Sequence, residues 1–513
     1  MRSATLFTVL TSSMFLATTA AAEPTVAIYT DASEYASGET IEVSLSGTNF
    51  GDGVAVAVWV GLLTAEGSIC TLGPDGWNDS FQPWIDDIYL PSGLDMDETA
   101  FWRIRVPCLM PPIKNLGDYD FAAVLTRPGT TDWVSELSLA RFRVSFHGGE
   151  VTEDLTLSGE IVLRSDAIVR DGVILTIQPG SRVRLAKSVG IRVYGGLVAE
   201  GEAEDPIVFE RLNPNERWQN ISFWQSAMVD YCRVVNCEIS GAAGTDCGHY
   251  WGVCGGGIFC HVSVTISGST FIGNYARWGG AICCYMCSAA VTNNTIVGNS
   301  ALYAGGIFCY AGSPMISGNS ISGNSTTNWG GGICCRESSP TITGNVINDN
   351  LAYYGGGVHC YHSSPTISCN LIAGNYGEED GGGIFNRQKS SPVITNNTIS
   401  YNWSEYGADG IACMYESHPI ITDCIIWGSG DDLSDCSATY CCIEDPDEGE
   451  GNIHSDPMFV TGPLGDYYLH PDSPCVDAGS RSAEEAAMSN LTTQADGTPD
   501  TGTVDMGCHY PLP

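Results

Sequence analysis

The sequence predicts an all-β protein, a right-handed parallel β-helix solenoid preceded by an immunoglobulin-like β-sandwich. Three observations carry this. A glycine-rich phrase recurs roughly every 25 residues through the middle of the 513-residue chain. Apolar and asparagine columns keep step with it. No stretch of this region holds the 3.6-residue spacing of an amphipathic helix over a dozen positions.

The phrase reads Gly256-Gly257-Ile258-Phe259-Cys260, Gly279-Gly280-Ala281-Ile282-Cys283, Gly305-Gly306-Ile307-Phe308-Cys309 and Gly331-Gly332-Ile333-Cys334-Cys335. Gly356-Gly357-Val358-His359-Cys360 and Gly382-Gly383-Ile384-Phe385-Asn386 follow, with a weaker Asp409-Gly410-Ile411-Ala412-Cys413. Units of this length bury their apolar faces only against neighbouring units. One apolar column runs Ile266, Val291, Ile316, Ile342, Ile367, Ile394, Ile421, and a second runs Phe271, Ile296, Ile321, Ile347, Ile372, Ile399, Ile426. Between them fall Asn294, Asn319, Asn345, Asn370 and Asn397, and after them Asn274, Asn299, Asn324, Asn350, Asn375 and Asn402. Each unit thus reads as three short strands broken by Gly, Asn and Ser. Stacked at the ~4.8 Å strand spacing, such coils place isoleucines inside and asparagine ladders at the bends. The crossover preference of parallel strands makes the helix right-handed.

The solenoid is expected over 148–442, with a loop insertion at 240–254 and about 12 coils. Residues 1–22 read as a signal peptide, with Arg2, an apolar stretch and Ala20-Ala21-Ala22. No other run reaches the ~20 apolar residues that span a bilayer, so the mature chain has no transmembrane segment. Short alternating strands over 23–147 suggest the sandwich. Residues 443–513 lose the repeat, turn acidic and are expected to cap the last coil.

The net charge of −38, with lysine only at positions 114, 187 and 389, excludes a basic footprint for nucleic acid. Cations, basic partners and neutral glycans fit better. The chain carries 22 cysteines. Cys70 with Cys108, and Cys475 with Cys508, are the disulfide candidates in an exported chain. Cys260, Cys283, Cys309, Cys335, Cys360 and Cys413 are expected to form one inward column of stacked thiols. In-register neighbours ~4.8 Å apart exceed the reach of a relaxed disulfide. Cys284 and Cys287 form an outward C-x-x-C able to oxidise.

Candidates for chemistry are few. Arg336, His359, Arg387 and Lys389, with Glu378, Glu379 and Asp380 at a nearby turn, are the one grouping resembling a base beside an acidic cluster. Alternation places Arg336, Tyr361 and Arg387 in one outward column, with His359 on the same face. Asp445, Asp447 and Glu448 sit in a loop with some character of a calcium site but without the full ligand spacing. No cofactor is expected, with calcium the one left open. An aromatic column precedes the glycines: Trp278, Tyr303, Trp329, Tyr354, then Asp380, then Tyr406. Rings in such a stripe either grip sugars or a partner, or stack on each other and stabilise the loops.

Phe271-Ile272-Gly273-Asn274 followed by Gly279-Gly280-Ala281-Ile282 resembles the repeat of chlamydial polymorphic outer-membrane proteins; other copies carry Ile for Phe. The tail resembles a broad bacterial family of secreted right-handed parallel β-helix repeat proteins, in Ser473-Pro474-Cys475-Val476-Asp477-Ala478-Gly479 and Gly502-Thr503-Val504-Asp505-Met506-Gly507. The resemblance spans about 150–513 and implies the fold, secretion or outer-surface placement, and an adhesin-like role. The same fold carries polysaccharide lyases and hydrolases, but the acidic and basic motif series of galacturonan hydrolases does not appear in this sequence. The expectation is a non-catalytic adhesion or glycan-binding protein, with polysaccharide or a surface glycoprotein as partner. A carbohydrate-active lyase or hydrolase is the alternative, and a structural surface component the third reading. The sequence leaves oligomeric state open.

Overall fold

The computed structural model describes residues 135–247 and 252–512, together with 117–128, residue 133 and the strands between residues 25 and 107. The expected signal peptide lies outside the described residues. The chain divides into two compact units, Met1–His147 and Gly148–Pro513.

In the first unit the described strands form two sheets. Thr25–Thr30 pairs antiparallel with Thr40–Asn49, which also pairs with Trp102–Pro107 and Leu94–Asp95. The second sheet runs Glu34–Ala36, Ser138–Ser145, Gly117–Thr126, Val54–Thr64, Ile69–Gly73, Gly76–Asn78, with Ile85–Leu90 also against Val54–Thr64. Alternation puts Val26, Ile28, Val43 and Leu45 inside on one sheet, and Val56, Val58, Val60 and Leu62 inside on the other. The Trp59 indole donates to the Thr126 hydroxyl at 2.9 Å, satisfying its buried N–H. Cys70 lies in a described strand, but its side chain and Cys108 lie outside the described residues.

The second unit is a parallel β-solenoid of about eleven turns. Its three sheets hold twelve strands each. They start at Gly149–Val151, Leu155–Leu157 and Glu160–Leu163 and end at Leu433–Ser434, Ala438–Thr439 and Cys442–Ile443. The isoleucine columns are in register from coil to coil: Ile316 with Ile342, Ile342 with Ile367, and Ile347 with Ile372. These side chains are fully buried, each contributing roughly 1.5–3 kcal/mol over an exposed one.

The asparagines form two continuous buried ladders. Asn299 donates its backbone N–H and its side-chain amide to the Asn324 Oδ1, both at 3.0 Å. The Asn324 amide donates to the Ile296 carbonyl of the preceding coil at 2.9 Å. The same geometry recurs from Asn294 through Asn319 and Asn345 to Asn370. Each amide thereby satisfies backbone groups that the bend removes from the sheets.

The middle coils hold four strands rather than three. An eight-stranded fourth sheet contains Tyr275–Trp278, Ser300–Tyr303, Leu351–Tyr354 and Tyr376–Asp380. The run between the Asn274-type bend and the glycines alternates exposed and buried residues, as Tyr275-Ala276-Arg277-Trp278 does. The paired glycines follow where backbones of successive coils nearly touch. A Cβ on Gly256 would lie 1.8 Å from the Gly280 carbonyl oxygen, and one on Gly331 2.4 Å from that of Gly356.

That register corrects the cysteine column. Cys260 pairs with Cys284, Cys284 with Cys309, Cys309 with Cys335, and Cys335 with Cys360. Asn386 and Cys413 continue it. Cys283 instead joins Phe259 and Phe308 on the other face. The reason is local: Gly280-Ala281 aligns with Gly256-Gly257, so this copy of the phrase begins one residue later than its glycines suggest. Cys284 is therefore inward, not outward. Burial pushes the Cys260 thiol well up, and hydrogen bonding with the Cys309 and Cys360 thiols, then burial, does the same to Cys335, while Cys309, beside thiols on both sides, is held lower.

Cys475 and Cys508 do not pair. Cys475 lies against Cys442, and the Cys508 thiol donates to the Cys369 carbonyl at 3.1 Å. A disulfide joins Cys247 to Cys254 in the insertion, where Thr245–Asp246 runs antiparallel to Val253–Cys254.

After the last coil, Ile443 still bonds to Ile453. The tail then folds back along the outer face of the third sheet instead of only closing the end. It buries Leu371, Ala373, Thr398 and Ser400, whose counterparts Ser320, Ser322, Val346 and Asn348 are open or half-buried. Tyr468 and Tyr510 stack at 4.0 Å beside Leu371 and Ala373. The tail meets the solenoid at Cys369, Asn396 and Asp423, which occupy one bend position with φ of 54°, 53° and 57°. Earlier coils mix asparagine and glycine there, as Asn236, Gly268, Asn293, Gly318 and Gly344.

Candidate functional site

The first sheet presents two rows away from the solenoid interior. One is Phe259, Cys283, Phe308, Cys334, His359, Phe385 and Ala412 in register. The other is Tyr285, Tyr310, Arg336, Tyr361, Arg387 and Met414. The fourth sheet decides which is reachable. Its Trp278, Tyr303, Trp329 and Tyr354 lie over the first row and bury it: Phe308 is 1% exposed and Phe385 0%. Phe259, Phe308 and Phe385, outward by alternation, are thus core residues of a second layer.

The aromatic column stacks on itself and on that row. Trp278 lies 4.8 Å from Phe308, and Tyr303 5.1 Å from Trp329. Tyr354 stacks on Phe385 at 5.1 Å. Trp278 is buried, while Tyr303, Trp329 and Tyr354 remain half-buried. Asp380 continues the column, pairing with Tyr354. Tyr406 does not. Gly381 donates to Ala408, so Ala408 holds the column position, and Tyr406 stands 74% exposed in the loop before it. The run from Trp403 to Ile411 is one residue longer than Leu351 to Val358, and its turn at Tyr406-Gly407 displaces the ring.

The basic candidates are brought together, but not as a base beside acids. Arg336 lies over Tyr361 at 5.1 Å and Trp329 at 6.0 Å, with Glu337 3.7 Å away. Arg387 lies over Tyr415 at 5.0 Å and Tyr354 at 5.6 Å. These are cation–π placements. Lys389 pairs with Glu416 at 3.7 Å on the surface. His359 is fully buried beneath Trp329, its ring parallel at 5.6 Å. Burial, with Arg387 and Arg336 nearby, pushes its imidazole down to about 3, so the ring is neutral in ordinary buffers. Its Nδ1 lies 3.8 Å from the Cys334 sulfur, and no donor or acceptor meets its Nε2. The Asp380 carboxylate is buried and accepts the N–H groups of Gly381 at 2.9 Å and Ala408 at 3.0 Å. Burial nonetheless pushes its carboxyl up. Glu379 accepts the Tyr353 hydroxyl at 2.9 Å.

Asp445 accepts the Asp432 N–H at 3.1 Å, and the Asp432 carboxylate in turn accepts the Glu444 N–H at 2.9 Å. Buried under the last coil, Asp432 has its carboxyl pushed up to about 7. Burial and the neighbouring Asp445 also push up Asp447, while Glu448 is exposed. Among the described residues, no group of three or more His, Cys, Asp or Glu is placed to hold a metal ion. Among the same residues, no helix is long and apolar enough to cross a membrane.

Sequence reasoning placed Tyr361 in one outward column with the arginines but missed Tyr415, one residue past the row's Met414, as a partner of Arg387.

The fold defines a parallel β-helix. Residues 219–391, about a third of the chain, match the family model described as right handed beta helix region. No curated protein and no solved structure matches the chain.

Proposed function

We propose that this is an exported or surface-held, non-catalytic β-helix that binds a neutral glycan or surface glycoprotein along one face. The observation that carries the reading is the row Tyr310, Arg336, Tyr361, Arg387, bordered by the half-buried Tyr303, Trp329 and Tyr354. Register spaces its members at ~4.8 Å per coil, giving a regular strip of half-buried tyrosines and arginines in which guanidiniums lie over neighbouring rings. Tyrosine hydroxyls and fixed guanidinium donors suit sugar hydroxyls. The large negative charge favours neutral over anionic chains. The first unit, read as an immunoglobulin-like sandwich, serves as a spacer or second binding module.

A glycan and polysaccharide array, probed with the purified chain with and without calcium, tests this. The expected result is binding that Tyr310→Ala plus Tyr361→Ala abolishes without lowering the melting temperature. Release of unsaturated or reducing ends from a bound glycan would instead make the protein an enzyme. Binding that survives the double substitution would move the site elsewhere.

A further inference from the structure

Six cysteines at the C-terminal end of the solenoid fall into three contacting pairs: Cys413 with Cys436, Cys424 with Cys441, and Cys442 with Cys475. Their geometries differ. Cys424 and Cys441 are in-register neighbours, two residues past the paired Thr422 and Thr439. They continue the asparagine ladder: Cys424 N–H donates to the Cys441 sulfur at 3.3 Å, as Asn397 N–H does to Cys424 at 3.5 Å. Strand spacing holds such a pair apart, as it does the inner thiols from Cys260 to Cys360.

The other two pairs are free of that constraint. Ala412 pairs with Ser434, so Cys413 lies level with Asp435, and Cys436 reaches it from one residue beyond. Cys442 ends the third sheet, while Cys475 comes from the tail, packed with it among Ile425, Leu469 and Met506. Neither pair is fixed at the ladder distance, and both lie at the C-terminal end of the solenoid, Cys442 with Cys475 joining the last coil to the tail.

We infer that Cys413 forms a disulfide with Cys436 and Cys442 with Cys475, stapling the terminal coil and the tail to the solenoid, while the ladder cysteines stay thiols. The oxidant is a small-molecule or protein disulfide. The half-exposed Cys436 attacks it as thiolate, forming a mixed disulfide and releasing one thiolate. Buried Cys413 then displaces the second thiolate from the Cys436 sulfur. Two protein thiols lose two electrons and two protons, and one disulfide is reduced to two thiols. The Cys442–Cys475 bond forms by the same exchange while the tail is still undocked. The inference rests on the exported reading only for the source of oxidant in the cell.

The test therefore supplies the oxidant. The purified chain is incubated with oxidised glutathione and alkylated first folded, then denatured. Residues 390–480 contain no Lys or Arg, so mapping uses cleavage after Glu, Tyr and Leu. The expected result is linked peptides for Cys413–Cys436 and Cys442–Cys475, with Cys260, Cys284, Cys309, Cys335, Cys360, Cys424 and Cys441 alkylated only after denaturation. Recovery of Cys413, Cys436, Cys442 and Cys475 as separate alkylated or glutathionylated peptides overturns the inference, whatever the array shows. A second readout is cleavage of the tail by added protease. Oxidation should slow it at least ~tenfold, the low end of what closing a loop of this length imposes on opening. Cys475→Ser should abolish that redox dependence. Equal rates for oxidised and reduced wild type overturn the proposal, and the peptide map decides alone if the variant does not fold.

Discussion

Trp278 stacks on Tyr303 from one coil to the next, with ring centroids 4.0 Å apart and planes 13° from parallel. Trp278 also touches Phe308, so one indole bridges the fourth sheet and the outer row of the first. Its loss opens a cavity in a second core layer. We expect Trp278→Ala to cost about 3–5 kcal/mol, read as a fall in the unfolding midpoint. Tyr406→Ala, at a 74% exposed loop position, should stay within about 0.5 kcal/mol of wild type. An unchanged midpoint for Trp278→Ala would mean the stack is dispensable and its ring free for ligand.

The asparagine ladder makes a sharper claim on stability. Removing the Asn324 side chain leaves the Asn299 N–H and amide without their acceptor and the Ile296 carbonyl without its donor, all buried. Stranded buried polar groups cost about 1–3 kcal/mol each, so Asn324→Ala should lose about 3 kcal/mol or more by chemical denaturation. Asn324→Asp should be no better, since the carboxylate accepts but does not donate and brings charge into a dry bend. A loss under about 1 kcal/mol for the alanine variant would mean water replaces the amide.

The columns were legible because a solenoid repeats its register: Ile316, Ile342 and Ile367 share one periodic environment, and so do Asn319, Asn345 and Asn370. What escaped was whatever one coil does differently. Ala281 standing for a glycine shifted the cysteine column by one and turned Cys284 inward. A one-residue-longer run before Ile411, with its turn at Tyr406-Gly407, took Tyr406 out of the ring stack. His359 read as outward by alternation, yet alternation says only which side of a sheet a residue faces, and here a fourth sheet covers that side. The tail's docking points, Cys369, Asn396 and Asp423, carried no such periodic signal, because the same left-handed bend is already asparagine at Asn236 and Asn293 in earlier coils.

Those bends yield a prediction about docking. Asp423 accepts the Ser480 N–H at 2.6 Å and its hydroxyl at 2.9 Å, with Arg481 3.9 Å away. A non-glycine residue at positive φ is unfavourable, so these contacts must outweigh the strain. Asp423→Gly relaxes the backbone but removes the acceptor. We expect it to leave the midpoint of solenoid unfolding nearly unchanged while raising amide exchange across 480–507 at least ~tenfold, equivalent to a lost charge-assisted bond of about 1.5 kcal/mol or more. Unchanged exchange would mean the apolar contacts of Tyr468 and Tyr510 hold the tail alone.

His359 sets a pH dependence whose sign follows from its burial. Its folded value, about 3, lies below the ordinary 6.5 because the imidazolium would be desolvated beside Arg387 and Arg336. The fold therefore prefers the neutral ring. That contribution is fully present above about pH 6.5 and is lost as pH falls toward the folded value. Phe385 occupies the same row on the next coil and Phe308 two coils before, so the site accepts a phenyl ring between Trp329 and Phe385. We expect His359→Phe to match wild type within about 1 kcal/mol at pH 8 and to gain on it by about 1 kcal/mol for each unit below pH 6. Denaturant titrations of both proteins between pH 8 and pH 4 measure the difference. Parallel curves would show that His359 takes up its proton in the folded state as readily as in the unfolded, which requires water to reach the ring beneath Trp329.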